Sequence, residues 1–541
     1  MARTLNIAEL DRKIPPEKRS PEVELLLDVV RELYDEIDRL KGLPIKPKRQ
    51  PSSLNDPTGP PSSRTASETA DNNANPGQPG ERPGSAKRSK TSQLEIHHTV
   101  SLTVDGLPDG SRLVDYRDYT VQDLRIEAVN TRYRRARYRL PDGSFQMAPL
   151  PAGVTSHFGN SLRQYVLYQH FHNHVTQPLL HEELSEFGVD ISAGTVNDIL
   201  TVGHEKFHHE KDGLLAAARE VSTYLQTDDT SARHQGKPGH TLHIGNEFFA
   251  TFFTTSTKSR VNFLQSLLSP FTDYVLNSDA LFYLESKNVP KKLIKKLRRK
   301  ARARTVYKDE QAWEKQLKRW KITSAEHRRL LTEATLWANM LARELEVDLV
   351  LISDDAAQFK LLRFAHGLCW VHQERHITGL IPLTEQQRAA QTRVRDEIWT
   401  YYQRLKNYRD SPSAASRLEL ERDFEHVFEQ QTHWDELDEA LGKIHSRKSH
   451  LLLVLEHPEI PLHNLSEHDI RQYVKKRKIS AGTRSAGGRL ARDTFLSLKT
   501  TCRKLGQSFW SYLQDRLGGL EEIPCLWELI KAKATATAAP H

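Results

Sequence analysis

The stretch VSTYLQTDDT (221–230), followed by HTLHIG (240–245) and FFATFFTT (248–255), decides how the chain is read. Short runs rich in β-branched and aromatic residues, a few residues apart, predict three strands in close succession. Working outward, SRVNFLQSLL (259–268) reads as a helix, VDLVLISDD (347–355) as a fourth strand and GLCWV (367–371) as a fifth. Three meandering strands, a helix, then strands alternating with helices form an α/β pattern. Two helical stretches interrupt it, one near 282–346 containing the basic run KKLIKKLRRKARAR (291–304), the other near 384–455. Both read as insertions in one core spanning 216–520.

Upstream, PLLHEELSEFGVDISAGTVNDIL (178–200) predicts two helices about a turn at Gly188, with Ser192 as N-cap. That outline of a helix-turn-helix lies in a region taken as 151–215. Residues 96–150 alternate apolar and polar between turn signals and predict a small β-rich module. Residues 44–95 are rich in Pro, Ser, Asn, Gly and charge, and read as a flexible basic linker. Within 1–43, Val23, Leu26, Val30, Leu33, Ile37 and Leu40 draw one helical seam, either a short coiled coil or an amphipathic helix docked on its own domain. Residues 521–541 read as a C-terminal tail.

The 541 residues suggest three or four units, and 78 Lys+Arg against 70 Asp+Glu lean toward a polyanionic partner. Three cysteines, Cys369, Cys502 and Cys525, are too few for a disulfide framework and suit a reducing compartment. No apolar run reaches the roughly 18 residues that span a bilayer, and the first residues lack the apolar core of a signal peptide. A cytoplasmic, nucleoid-associated protein is expected.

Asp228 and Asp354 each fall where a strand is expected to end, and adjacent parallel strands would bring them to one sheet edge. Paired carboxylates suit Mg²⁺, and two such ions can serve attacking and leaving oxygens in phosphodiester chemistry. Asp-Asp pairs in loops are also common as solvated turns or helix caps, and spacing leaves both readings open.

The motifs CWVHQER (369–375) and NLSEHDIR (464–471), with the basic stretch that follows, resemble the catalytic domain of the insertion sequence 66 family of transposases. The resemblance implies an α/β catalytic core of ribonuclease H-like type with helical insertions, preceded by α-helical and small β-rich modules. It implies DDE chemistry, in which Asp228, Asp354 and Glu467 are catalytic and hold two Mg²⁺ ions, with Mn²⁺ an acceptable substitute. Transposon-end DNA is cut and the freed 3′-hydroxyl joined to target DNA. Asp229, Cys369, Trp370, His372 and Arg375 would support the site. Asn464 and Arg471 would share a helix face with Glu467 and contact DNA. Lys475, Lys476, Arg477 and Lys478 directly follow and are expected on DNA. Lys291, Lys292, Lys295, Lys296, Arg298 and Arg299 would either contact the DNA backbone or form a solvated face. A homo-oligomer on DNA and accessory proteins of the same element are the expected partners. The alternatives are an inactive end-binding relative and a ribonuclease H-like nuclease without strand transfer. The chain departs from the family pattern at Asp229 and Glu374, lacks an N-terminal cysteine zinc module, and carries a longer basic insertion.

Overall fold

The computed structural model describes residues 94–154, 156–302, 304–345, 349–361 and 364–538. The seam at 21–41 and nearly all of the linker lie outside the described residues. The chain divides into two units, Met1–Leu102 and Thr103–His541; the second carries the sheet and the candidate site.

Its centre is a five-stranded mixed sheet of β1 (Tyr224–His234), β2 (Lys237–Gly245), β3 (Ala250–Thr255), β4 (Val350–Ser353) and β5 (Ala365–Leu368), in the order β3-β2-β1-β4-β5. β1 and β2 form a hairpin whose two-residue turn, Gln235-Gly236, has positive φ at both positions (51° and 75°). Such a turn follows the natural twist of the flanking strands, which is why a glycine sits there. β1 runs parallel to β4 only over Tyr224–Gln226, and β4 runs parallel to β5. All four residues of β4 are buried, as expected of a strand covered on both faces.

Three strand expectations shift. β1 does not stop at Asp228 but continues to His234 as a hairpin arm, so Asp228 lies within the strand, just past its last pairing with β4. β4 is shorter than expected, and Asp354 follows it directly. β5 ends at Leu368, so Trp370 and Val371 open helix α2 instead.

Helix α1 (Arg260–Leu268) follows β3, and the Ser259 side chain caps it by accepting from the Asn262 N–H. Helices α2 (Trp370–Thr378), α3 (Ser466–Ser480) and α4 (Ala486–Leu505) complete the core. β3 is an edge strand, and α4 closes that edge. Thr501 Oγ1 accepts from Ala250 N, Ser497 Oγ from Phe252 N, and Asp493 Oδ2 from Thr254 N, at 3.1, 2.9 and 2.7 Å. Residues four apart share a helix face and residues two apart share a strand side, so the two periods match and the strand's outward N–H groups are paired. This arrangement is compatible with a ribonuclease H-like core.

Both insertions are helical. The first contains helices Ser278–Ser286, Lys291–Arg302, Glu310–Arg319 and Ala325–Ala342, together with an unanticipated small hairpin of Tyr274–Leu276 and Thr305–Tyr307. The second contains Glu385–Asp410, Ala414–Phe428, Asp435–His445 and Lys448–Leu451. Upstream, Gln177–Glu186 and Ala193–Thr201 are the two expected helices, with Gly188 at φ 77° and Ser192 capping the second. A further helix, Asn160–Phe171, precedes them.

The next helix, Glu205–Val221, crosses the boundary expected near 215, so the two regions share one rigid element. The expected tail is instead a helix, Leu526–Ala538, docked on Glu205–Val221 through Leu526, Ile530 and Ala534. A Cβ at Gly213 would meet the Trp527 ring at 2.5 Å, so glycine permits this approach. Within 94–150 the pairing of Arg137–Arg139 with Phe145–Met147 is the strand structure present among the described residues, far less than a β-rich module.

Candidate active site

The sheet delivers Asp228 from β1 and Asp354 from the end of β4, and α3 delivers Glu467 from its first turn. Asp228 is the focus of the three. Burial pushes its carboxyl up to about 7; the backbone N–H of Asp229, donating at 2.7 Å, opposes this, while the charges of Asp354, Asp229 and Glu467 push it further. A carboxyl that feels three other acids lies in a field short of positive charge.

The neighbouring acids are already paired. Asp229, on the opposite strand face, accepts from Lys258 at 2.9 Å and Gln358 at 2.7 Å. Asp355 lies between Lys360 and Arg447, each at 2.6 Å, and their charges hold its carboxyl below the usual range despite burial. Asp354 accepts one backbone N–H, from Ala356 at 3.1 Å.

The motif at 369–375 forms the joint between β5 and α2. Cys369 is buried and its Sγ accepts from Asn464 N at 3.2 Å; burial pushes the thiol up to about 11, so it is a protonated packing group. Trp370 is buried among Tyr401, Tyr402, Phe424 and Phe428 and donates to Leu451 O at 3.1 Å, fastening the second insertion to the core. Glu374 pairs with Arg395 of that insertion at 2.7 Å, which gives the departure at 374 a packing role. Arg375 Nη2 donates to Glu467 Oε1 at 2.8 Å. His372 has a buried Nδ1 without a hydrogen-bond partner among the described residues. Burial and then the Arg375 charge depress its pKa, opposed by the charges of Glu467 and Asp354.

Three expectations are corrected here. Asn464 does not share a helical face with Glu467. It lies ahead of α3, where its Nδ2 donates to Thr227 O at 2.7 Å and its Oδ1 accepts from Ser466 N at 3.1 Å, tying the start of α3 to β1. Lys476 is not at the surface; it is fully buried and its Nζ donates to His170 O at 2.6 Å. Arg477 is half-buried and donates to Ser231. Arg471, Lys475 and Lys478 are exposed, as are Lys291, Lys292, Lys295, Lys296, Arg298 and Arg299. In that helix Lys296 donates to Trp320 O, and Arg298 lies 3.5 Å from Glu285.

One residue that the sequence reading missed is Asp469. Two helical residues beyond Glu467 it faces inward, buried between His243 of β2 at 3.2 Å and Lys504 of α4 at 2.8 Å. It thereby fixes the rotation of α3. The signal was available in the roughly 200° between residues i and i+2 of a helix.

Among the described residues, the His/Cys/Asp/Glu group whose ligand atoms all lie within 4.8 Å of one another is Glu425, Glu429 and His445, where Lys448 already pairs with Glu425. By that measure Asp228, Asp354 and Glu467 are spread more widely. Their donor set fits hard divalent cations: carboxylate oxygens, unbalanced negative charge at Asp228 and an unpartnered imidazole nitrogen nearby.

Residues 337–490 match the family model described as "Transposase IS66 family". That segment includes Asp354, the 369–375 motif and Glu467 but not Asp228. Over 325 residues the chain is 41% identical to "Uncharacterized protein y4jO" of Sinorhizobium fredii (strain NBRC 101917 / NGR234), covering 59% of this chain and all of that protein. No helix among the described residues is long and apolar enough to cross a membrane.

Proposed function

Because the chain belongs to the IS66 family of transposases, we propose that it cuts and joins DNA strands by DDE chemistry on a ribonuclease H-like core. The carrying observation is the carboxyl of Asp228, raised by burial and by the charges of Asp354 and Glu467, acids that come from three separate elements. A carboxyl raised in this way is costly to ionise without a cation beside it.

In this reading Asp228, Asp354 and Glu467 hold Mg²⁺. Bound there, the metal would supply an activated water and charge stabilisation on the phosphodiester oxygens. The chain's own residues arrange the rest. Asn464 and Asp469 set the position and rotation of α3, and Arg375 holds the Glu467 carboxylate in place. His372, whose pKa burial lowers and whose Nδ1 has no partner among the described residues, is the imidazole whose titration the charges of Asp354 and Glu467 influence. Exposed Lys475, Lys478 and Arg471 on α3, with the basic helix Lys291–Arg302, offer phosphate contacts. Homo-oligomers on DNA and accessory proteins of the same element belong to the same proposal.

The test is a Mg²⁺-dependent cleavage and strand-transfer assay on DNA carrying the ends of the element that encodes the chain. Cleaved and covalently joined products are expected. Cleavage without joining would favour a nuclease, and binding without cleavage an inactive relative.

A further inference from the structure

Where helix Asn160–Phe171 ends, its last carbonyls meet α3 and α4. Lys476 donates to His170 O at 2.6 Å and Lys499 to His172 O at 3.1 Å, and both lysines are buried. Carbonyls freed at a helix C-terminus attract cations, so the two lysines act as caps. Capping does not account for the rest of the cluster. The charges bearing on Lys476 are Arg492 and Lys499, and those on Lys499 are Arg503 and Lys475. His174 feels Lys499, Lys476, His172 and Lys475, and His172 feels Lys499 and Arg503. Among the described residues no carboxylate is ion-paired with Lys476, Lys499, His172 or His174. The acids nearby serve the periphery, Asp469 lying 3.8 Å from Arg503 and Asp493 bearing on Arg492.

This crowding has visible effects. Burial first, then mutual repulsion, pushes Lys476 down to about 6, Lys499 to about 8 and His174 to about 4. The Nδ1 atoms of His172 and His174 are buried without hydrogen-bond partners among the described residues. His174 also holds a left-handed backbone, φ 66°, that non-glycine residues rarely adopt. Around these groups, Lys475 and Arg503 stand exposed.

We infer that this cluster is a binding site for a DNA backbone phosphate, with Lys475 and Arg503 at its mouth and His172, His174, Lys476 and Lys499 behind them. A phosphodiester supplies the missing negative charge and acceptors for protonated imidazoles. DNA is the source because of where the site stands. It joins the three upstream helices to α3, and from Glu467 to Lys475 is about 12 Å along that helix, so one DNA backbone can reach both. Bringing the phosphate in restores protons to Lys476 and His174, and those protons come from solution. The inference rests on the DNA-processing reading above.

The experiment is calorimetry of the full chain with duplex DNA at pH 7, in buffers of differing ionisation enthalpy, combined with a salt titration. Net proton uptake is expected on binding. His174→Gln with Lys475→Gln should weaken binding roughly ten-fold, lower the slope of log affinity against log salt by about 0.9 per lost phosphate contact, and reduce the uptake. If that variant melts early, Arg503→Gln alone should lower the slope in the same way. Folded variants with unchanged slope and uptake would overturn the site while leaving DNA binding intact. A wild-type chain that does not bind DNA would overturn both readings. Inorganic phosphate that raises the melting temperature of wild type alone, with DNA affinity equal in wild type and variant, would make this a free-anion site and sink the DNA assignment.

Discussion

The Arg375 guanidinium meets the Glu467 carboxylate at 2.8 Å, linking the first turn of α3 to the motif helix α2. Both side chains are partly exposed, so as a surface pair the contact is worth at most about 1 kcal/mol. Glu467→Gln keeps the shape and removes the charge. Folding and DNA affinity should persist while Mg²⁺-dependent cleavage falls more than about 100-fold, beyond the effect usual for groups that only orient ligands. Near-normal cleavage would remove Glu467 from the site.

Asp354→Asn and Asp355→Asn should separate cleanly. Asp355 is taken up by Lys360 and Arg447, so its loss should cost stability, on the order of 1 kcal/mol, and leave cleavage largely intact. Asp354, with a single backbone donor, should lose cleavage without a comparable fall in melting temperature. Equal loss of cleavage at both positions would reverse the assignment.

Asp228 should make stability depend on pH in a particular direction. Its folded pKa, about 7, exceeds the usual carboxylate value, so the folded state binds the extra proton and stability falls as pH rises from about 4 to 7. Asp228→Asn should therefore melt higher than wild type at pH 8 and equal to it near pH 4. Adding Mg²⁺ at pH 8 should raise the melting temperature of wild type and not of the variant. A lower melting temperature for the variant at pH 8 without metal would contradict the crowded-carboxylate account.

The basic helix Lys291–Arg302 presents Lys291, Lys292, Lys295 and Arg299 to solvent. Changing these four to Gln should lower the slope of log affinity against log salt by up to about 3.6, whatever the DNA sequence. An unchanged slope would mean a solvated face.

The strands around Asp228 and Asp354 were legible because β-branched runs carry their own period, and the Ser192 cap because an N-cap is a local event. What stayed hidden depends on partners distant in the chain. Lys476 looked like its exposed neighbours Lys475 and Lys478, yet the end of helix Asn160–Phe171 and the neighbouring α4 make it interior. Asn464 looked helical because its spacing to Glu467 fits a helix, yet its amide is taken by Thr227 of β1. The pairing of Asp493, Ser497 and Thr501 with the β3 edge could not be seen from α4 alone, since those side chains are unremarkable without the strand beside them.

The parallel pairing of β1 with β4 sets the order in which the proposed site can come into being. During synthesis Asp228 emerges first with its hairpin, but β4 follows only after the whole first insertion, and Glu467 only after the second. Contacts so far apart in sequence close late. A ribosome-bound or prematurely broken chain thus carries one or two of the three acids and no complete site. The two insertions therefore lengthen the interval of synthesis that separates Asp228 from the other two acids.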